Sequence, residues 1–281
     1  MLNGWRYYNH ALLPNCAPHE CPDVSRISDN DFWSTSSGTV LLARWTSEFD
    51  CKDEQKWWYV IKDDVFDITA LKSKRRYEIT KGKKNYDVRI IDPNLYINDI
   101  ISIHIEAYKE YPAHYRPTVD AEKLESEIKR WNVNYVTFGA FSKDTNQLCG
   151  FAMIIPEKQY ANFAMLKVKP CCERKGINAS IVAGVLEFYN EKISKGYYIC
   201  DGERALFHET NFQDYLIKYF GFRKAYAKLH VKFRFPVSII VWLLRPFKTA
   251  IKKKNSAIMK KIYVILLYDE LSVHINYQGE S

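Results

Sequence analysis

Apolar and polar positions alternate through residues 161–168 (ANFAMLKV), the period of a half-buried strand. Past Pro170 the period changes, and Ile181, Val182, Val185, Leu186 and Tyr189 recur at helical spacing. A short basic turn containing Gly176 joins the two segments. Strand, basic glycine turn and helix together form a device for holding phosphates. The first turn of a helix has unpaired N–H groups and a partial positive charge, and glycine lets the backbone come close to a ligand.

The pattern continues on both sides. Upstream, strands are predicted over 134–141 and 148–155, joined by the polar turn 142–147. A helix over 95–110 carries Ile97, Ile100, Ile101, His104 and Tyr108 on one face, where His104 reads as a buried, hydrogen-bonded side chain. Another helix follows over 120–131, behind an acidic cap. Downstream, 197–200 is a strand and 211–220 a helix striped by Phe212, Tyr215, Leu216, Tyr219 and Phe220. Gly221 and Phe222 end that helix, 224–233 is a strand, and 262–268 (IYVILLY) predicts a last one. Nearer the N-terminus, 39–45 and 57–62 predict two strands of a small sheet. Residues 71–89 hold a basic helix of about three turns, capped by Asp67 or Thr69 and ended at Gly82, followed by a strand over 86–91.

From residue 86 the order is β, α, α, β, β, β, α, β, α, β, and here the chain resembles the GNAT superfamily of N-acyltransferases. In that family a pyrophosphate loop, Arg/Gln-x-x-Gly-x-Gly/Ala, follows a strand ending in a Val-x-Pro-like segment. Glu173-Arg174-Lys175-Gly176-Ile177-Asn178 occupies that place, with Glu173 where Arg or Gln is usual and Asn178 where Gly or Ala is usual. The ending YLIKYFGFRKAYAKLHVKF, a helix, Gly-Phe and a strand, is a second resemblance. The family implies a mixed α/β fold, a mostly antiparallel sheet flanked by helices, with acetyl-CoA or another acyl-CoA as donor. It implies Val168, Arg174, Lys175, Gly176, Ile177, Asn178 and Ala179 as the donor-binding residues. A backbone N–H near Val168 would polarise the thioester carbonyl. Many members carry a tyrosine acid four residues before the Gly of the Gly-Phe pair. That position is Ile217 here, and Tyr215 is the nearby phenol.

A further resemblance lies in 71–89. Leu71, Lys74, Arg76, Tyr77, Ile79, Lys81 and Lys84 fit the basic element of Fem-type aminoacyltransferases and related GNAT-like proteins of surface-polysaccharide loci, with Arg75 adding charge. Those proteins place an incomplete GNAT-like unit ahead of a complete one. The resemblance implies a bacterial enzyme whose basic helix, through Arg75 and Arg76, meets nucleotide- or lipid-linked sugar diphosphates. It also brings aminoacyl-tRNA in as an alternative donor.

Composition narrows the setting. A formal net charge of +8 favours anionic partners, and 47% hydrophobic with 26% charged residues describes a globular chain. Seven irregularly spaced cysteines imply no disulfide framework. Cys16, His19 and Cys21 lie close together but lack a fourth ligand, so no metal is expected and the segment reads as an irregular loop. The N-terminus shows no signal pattern, and no run reaches the ~18 apolar residues of a spanning helix, so a cytoplasmic setting is expected. Residues 236–261 stand apart. An apolar run with Trp242 precedes Pro246 and a lysine cluster, which predicts either a helix buried on the sheet or an interfacial helix at the inner face of a membrane.

The densest polar stretch is Cys200 to Thr210 (CDGERALFHET), leaving a strand end. Glu203 and His208 are the base candidates, and Asp201 and Arg204 the sugar-binding ones. These readings give two expected units: residues 1–85, β-rich and closed by the basic helix, and 86–281, GNAT-like with the 236–261 insertion. The expected activity is acyl transfer to an amino sugar or other cell-envelope precursor. The alternatives are an aminoacyl-tRNA-dependent transferase and a catalytically silent scaffold.

Overall fold

The computed structural model describes residues 4–111, 116–206, 211–254 and 256–273. In chain order it begins with strands β1 (Trp5–Tyr8), β2 (Ala11–Pro14), β3 (Leu42–Ser47) and β4 (Trp57–Lys62). Helix α1 (Ser73–Asn85), strand β5 (Tyr86–Ile91), helices α2 (Ile97–Lys109) and α3 (Ala121–Ile128) and the turn α4 (Trp131–Asn134) follow. Then come β6 (Val136–Ser142), β7 (Leu148–Pro156), β8 (Tyr160–Val168), the turn α5 (Pro170–Glu173) and α6 (Ile177–Ile193). The chain continues through β9 (Tyr198–Glu203), α7 (Phe212–Phe220) and β10 (Arg223–Phe233), and ends in α8 (Val237–Leu244), α9 (Lys248–Lys252) and α10 (Ala257–Leu271). From β5 to β10 this is the element order that the sequence predicts. The fold is α/β, with mostly antiparallel strands and flanking helices.

Two compact units divide the chain: Met1–Tyr59 with Glu203–His208 and Lys224–Ser281, and Val60–Gly202 with Glu209–Arg223. The basic helix α1, expected to close the N-terminal unit, belongs to the second of these.

In the first unit β1 and β2 form a hairpin turning at Asn9 and His10, both in the left-handed region. Strand β2 pairs parallel with β3, and β3 pairs antiparallel with β10. Its core is aromatic, with Trp5 edge-on to Phe32 at 5.2 Å and to Trp45 at 6.2 Å. Helices α8 and α10 pack through Val241 and Leu266, with Ile251 of α9 between them.

The expected strand over 262–268 is part of the helix α10. Its β-branched residues favour a strand locally, but Ile262, Ile265 and Leu266 fall on one helical face and pack around Val241, and Ser256 caps the helix by accepting from the Met259 N–H. Tertiary burial outweighs local propensity here. Among the described residues no helix is long and apolar enough to cross a membrane.

In the second unit β5, β6, β7 and β8 form an antiparallel succession, and β9 joins β8 in parallel. Helix α2 lays Ile100 and Ile103 on this sheet beside Ile128, Trp131 and Phe151. The predicted stripe of α6, Ile181, Val182, Val185, Leu186 and Tyr189, is buried throughout.

Helix α1 lies against the start of α6. It runs on through Gly82 to Asn85, rather than ending at the glycine as expected, because Gly82 is a packing residue. A Cβ there would run into the Gly176 carbonyl oxygen and come within 2.8 Å of Ser180 Cβ. The expected caps lie upstream: Asp67 accepts from the Thr69 N–H and closes a separate turn at Ile68–Ala70.

Candidate active site

The second unit opens where its parallel strands part. Strand β8 pairs with β9 only at Tyr160↔Tyr198, Ala161↔Ile199 and Asn162↔Cys200. Beyond Asn162, β8 stays with β7 as far as Val168, with one extra residue, Ala164, between Phe163 and Met165. The far end of β8 therefore has a partner strand on one side only. At that end the Lys169 N–H is spent on the Cys149 carbonyl at 2.8 Å, towards β7. Successive N–H groups of a strand point to opposite sides, so the Val168 N–H points to the side β9 has left.

The first turn of α7 bridges the parting. Phe212 packs on Phe163 of β8, with ring centroids 5.6 Å apart, and Gln213 Nε2 donates to the Asp201 carbonyl of β9 at 3.3 Å. Asp201 is the first β9 residue past the last pair. Burial pushes its carboxyl up to about 8, while a hydrogen bond from Gln213 works against the shift. The strand thus delivers, at the mouth of the gap, a carboxyl group that keeps its proton at neutral pH.

The turn between β8 and α6 has the charge and backbone that the sequence predicts. Gly176 sits at the N-cap of α6 with φ +83°, a left-handed conformation suited to glycine. The N–H groups of Ile177, Asn178 and Ala179 belong to the first helical turn and have no intrahelical partner. Arg174 and Lys175 are exposed beside them, and the Asn178 side-chain oxygen is buried with no hydrogen-bond partner. Val168 and Ile177 are buried and pack over Gly150.

The two exposed cations beside the helix end suit a diphosphate, whereas Ile177 and Ala179 of that turn are buried. The flank of the turn at Gly176 Cα, however, is taken by α1, whose Glu78 carbonyl oxygen would lie 2.6 Å from any Cβ on Gly176. The glycine has a packing reason to be there, independent of any ligand.

The remaining candidates fall in different surroundings. Tyr215 stacks on Phe212 (6.1 Å, 20°), and its hydroxyl is 3.5 Å from Arg75 Nη1; burial raises it to about 12. Arg75 is buried, pairs with Glu78 and lies 3.8 Å from the Tyr219 ring centroid. It fastens α1 to α7. Arg76 is exposed and donates to the Thr69 carbonyl at 2.9 Å.

Glu203 and Arg204 belong to the first unit. Glu203 pairs with Arg44, whose guanidinium lies 5.6 Å from the Trp57 ring and 5.2 Å from the Tyr268 ring. Arg204 lies 4.3 Å from the Trp58 ring and donates to the Lys56 carbonyl. His208 lies outside the described residues.

One constellation escaped the sequence reading. Lys167, on the α2-facing side of β8, donates from Nζ to the Tyr111 hydroxyl at 3.1 Å and sits 4.5 Å from the Tyr108 ring centroid. Burial lowers its pKa. His104 lies next to this group, pushed down to about 4 by burial and then by the Lys167 charge, with Nε2 buried and unpaired. The sequence signal was a lysine inside an apolar strand alternation, together with tyrosines three residues apart at a helix end. His104 is buried as expected, but its Nε2 lacks the expected hydrogen bond. Among the described residues no group of three or more His, Cys, Asp or Glu could hold a metal ion.

No protein-family model matches the chain, and no curated protein matches it. Among solved structures, it is similar to a PaiA N-acetyltransferase from Thermoplasma acidophilum in complex with coenzyme A. That match has 22% identity over 38% of this chain and 73% of that one, with a TM-score of 0.32. It is similar to L-PGS from Bacillus licheniformis at 10% identity over 95% of this chain and 84% of that one, TM-score 0.47. A third is the C-terminal domain of a putative lysylphosphatidylglycerol synthetase from Agrobacterium fabrum. It is 11% identical over 57% of this chain and 48% of that one, TM-score 0.34.

Proposed function

We propose that the chain is a cytoplasmic acyltransferase of the GNAT type. It takes an acyl group from acetyl-CoA or another acyl-CoA and places it on the amino group of an amino sugar or other cell-envelope precursor. One observation carries the reading: β8 and β9 pair in parallel and then part at Asn162 and Cys200, with the N-terminus of α6 following β8. A thioester donor supplies an activated acyl group; the chain supplies position and protons. The Val168 N–H, turned towards the open side, is the proposed donor that polarises the acyl carbonyl. In this proposal Asp201, protonated at neutral pH, gives its proton to the sulfur as the C–N bond forms and the C–S bond breaks, and it recovers a proton from the acceptor nitrogen. Arg174 and Lys175, beside the first turn of α6, hold the diphosphate.

The packing of α1 on Gly176 favours a second reading of the same fold, in which aminoacyl-tRNA is the donor. Calorimetry with acetyl-CoA and coenzyme A separates the two. Because Gly176 is a packing residue, the informative change is Arg174→Ala with Lys175→Ala, both exposed. Under the first reading this pair weakens CoA binding roughly ten-fold or more, about 1.4 kcal/mol. Absence of any heat with wild type at about millimolar ligand, where even weak sites register, removes acyl-CoA as donor. The aminoacyl-tRNA reading then leads.

A further inference from the structure

Half of the chain's exposed large hydrophobic residues crowd into one short segment. Of the 14 among the described residues, seven fall between Phe235 and Ile258. Helix α8 buries Val241 against α10 and turns Ile239, Ile240, Trp242 and Leu243 outward, with Trp242 65% exposed. Phe247 and Ile258, 59% and 69% exposed, continue the patch past Pro246. Apolar surface of this kind is costly to leave in water and marks an interaction site.

Charge is concentrated in the same place. Residues 234–268 contain eight of the chain's 41 basic residues and none of its 33 acidic ones, so the rest of the chain is balanced and the whole net charge of +8 resides here. Arg245 is paired with Asp269 at 2.6 Å and Lys248 with Glu270. Lys252, Lys253, Lys254, Lys260 and Lys261 are exposed and pair with no carboxylate among the described residues.

We propose that α8, α9 and the start of α10 dock the first unit on an anionic lipid bilayer. The apolar residues enter the headgroup boundary, Trp242 sits at the interface, and the lysines lie on acidic headgroups. The partner follows from this pairing of chemistries. Four of the seven exposed residues, Ile239, Ile240, Leu243 and Ile258, are aliphatic and give a nucleic acid nothing to stack on, whereas all seven suit the headgroup boundary. A second copy meeting this face would bring two lysine clusters together. A bilayer with acidic lipid satisfies both halves of the patch. The inference stands apart from the acyl-transfer reading, and its readout involves no turnover.

The test is co-sedimentation of the full chain with vesicles of phosphatidylcholine, with and without phosphatidylglycerol. Binding is expected only with the acidic lipid, with release at about 1 M salt, where the Debye length is about 3 Å. Lys252→Gln, Lys253→Gln and Lys254→Gln together should weaken partitioning roughly a hundred-fold. Trp242→Ser with Phe247→Ser should weaken it roughly ten-fold or more while leaving the melting temperature unchanged, since both rings are exposed. Brominated lipid should quench wild-type fluorescence more than that of Trp242→Phe. The proposal is overturned by no sedimentation with acidic vesicles, by sedimentation that the serine pair leaves intact, or by a dimer that the serine pair dissociates. RNA binding of similar strength without vesicle binding does the same.

Discussion

Replacing Asp201 with Asn should change how stability depends on pH, by an amount that the structure sets. In the fold burial holds the carboxyl near 8; in the unfolded chain it returns to 3.8, the value for free aspartate. Between those values the folded state keeps a proton that the unfolded state has lost. Raising the pH therefore favours unfolding, at about 1.4 kcal/mol per pH unit. The stabilising protonation is complete only below about 4 and is progressively lost up to 8, where the folded carboxyl itself ionises.

Between pH 6.5 and 8.0 the loss comes to about 1.5–2 kcal/mol, the slope easing as the upper value is reached. Asparagine keeps the shape and has no proton to lose. Urea unfolding of both proteins at the two pH values measures the difference, and equal m-values would show that the same surface is being exposed. Wild type should fall relative to Asp201→Asn by that amount as the pH rises, every other titrating group cancelling in the comparison. Parallel behaviour of the two proteins, within about 0.3 kcal/mol, would mean that Asp201 is ionised at neutral pH and cannot serve as the acid. Where an acceptor is in hand, turnover should fall above about pH 8 in wild type and drop roughly 10²–10⁴-fold in the variant.

Other outcomes follow from the same geometry. Tyr215→Phe should keep both fold and turnover, since its hydroxyl meets only Arg75 at 3.5 Å; a loss comparable to that of Asp201→Asn would move the acid to Tyr215. His104 is neutral in the fold with its pKa near 4, so stability is lost as pH falls from 6.5 to 4, by about 3 kcal/mol at the end of that range. His104→Phe should flatten this acid limb in denaturant titrations, and an unchanged limb would refute the assignment. Gly82→Ala should cost about 1–3 kcal/mol by pushing α1 off α6, against about 0.5 kcal/mol or less for Lys74→Ala on the exposed face, both read from urea midpoints.

The elements that carried long periodic patterns were legible, and the site was legible only in part. Helix α6 and strands β6, β7 and β8 announce themselves because each repeats one period for long enough to exclude the other. The run IYVILLY misleads because seven residues suit a strand or a buried helix equally, and only the apolar face of α8 decides between them. In the site, sequence proximity was the weak guide. Asp201, Glu203 and Arg204 look like one cluster in CDGER, yet Glu203 is held by Arg44 and Arg204 by Trp58 and Lys56, and Asp201 alone meets α7. Lys167 and Tyr111 are 56 residues apart and share a hydrogen bond. The lysine stands out within its own strand, but its pairing with Tyr111 leaves no local signature.

Gly176 shows how a motif can be read correctly and explained incompletely. Its position in a basic turn before a helix suggests a ligand, and its left-handed φ would suit a phosphate loop. But Gly82, nine residues into α1, is required for the same contact, and it belongs to no phosphate motif. Two glycines facing each other across a helix crossing are first of all a solution to close packing. A phosphate role for the turn must therefore rest on groups that packing leaves free, the exposed side chains of Arg174 and Lys175, since Ile177 and Ala179 of the first helical turn are buried. For that reason the arginine–lysine pair, and not the glycine, decides whether this turn holds a diphosphate.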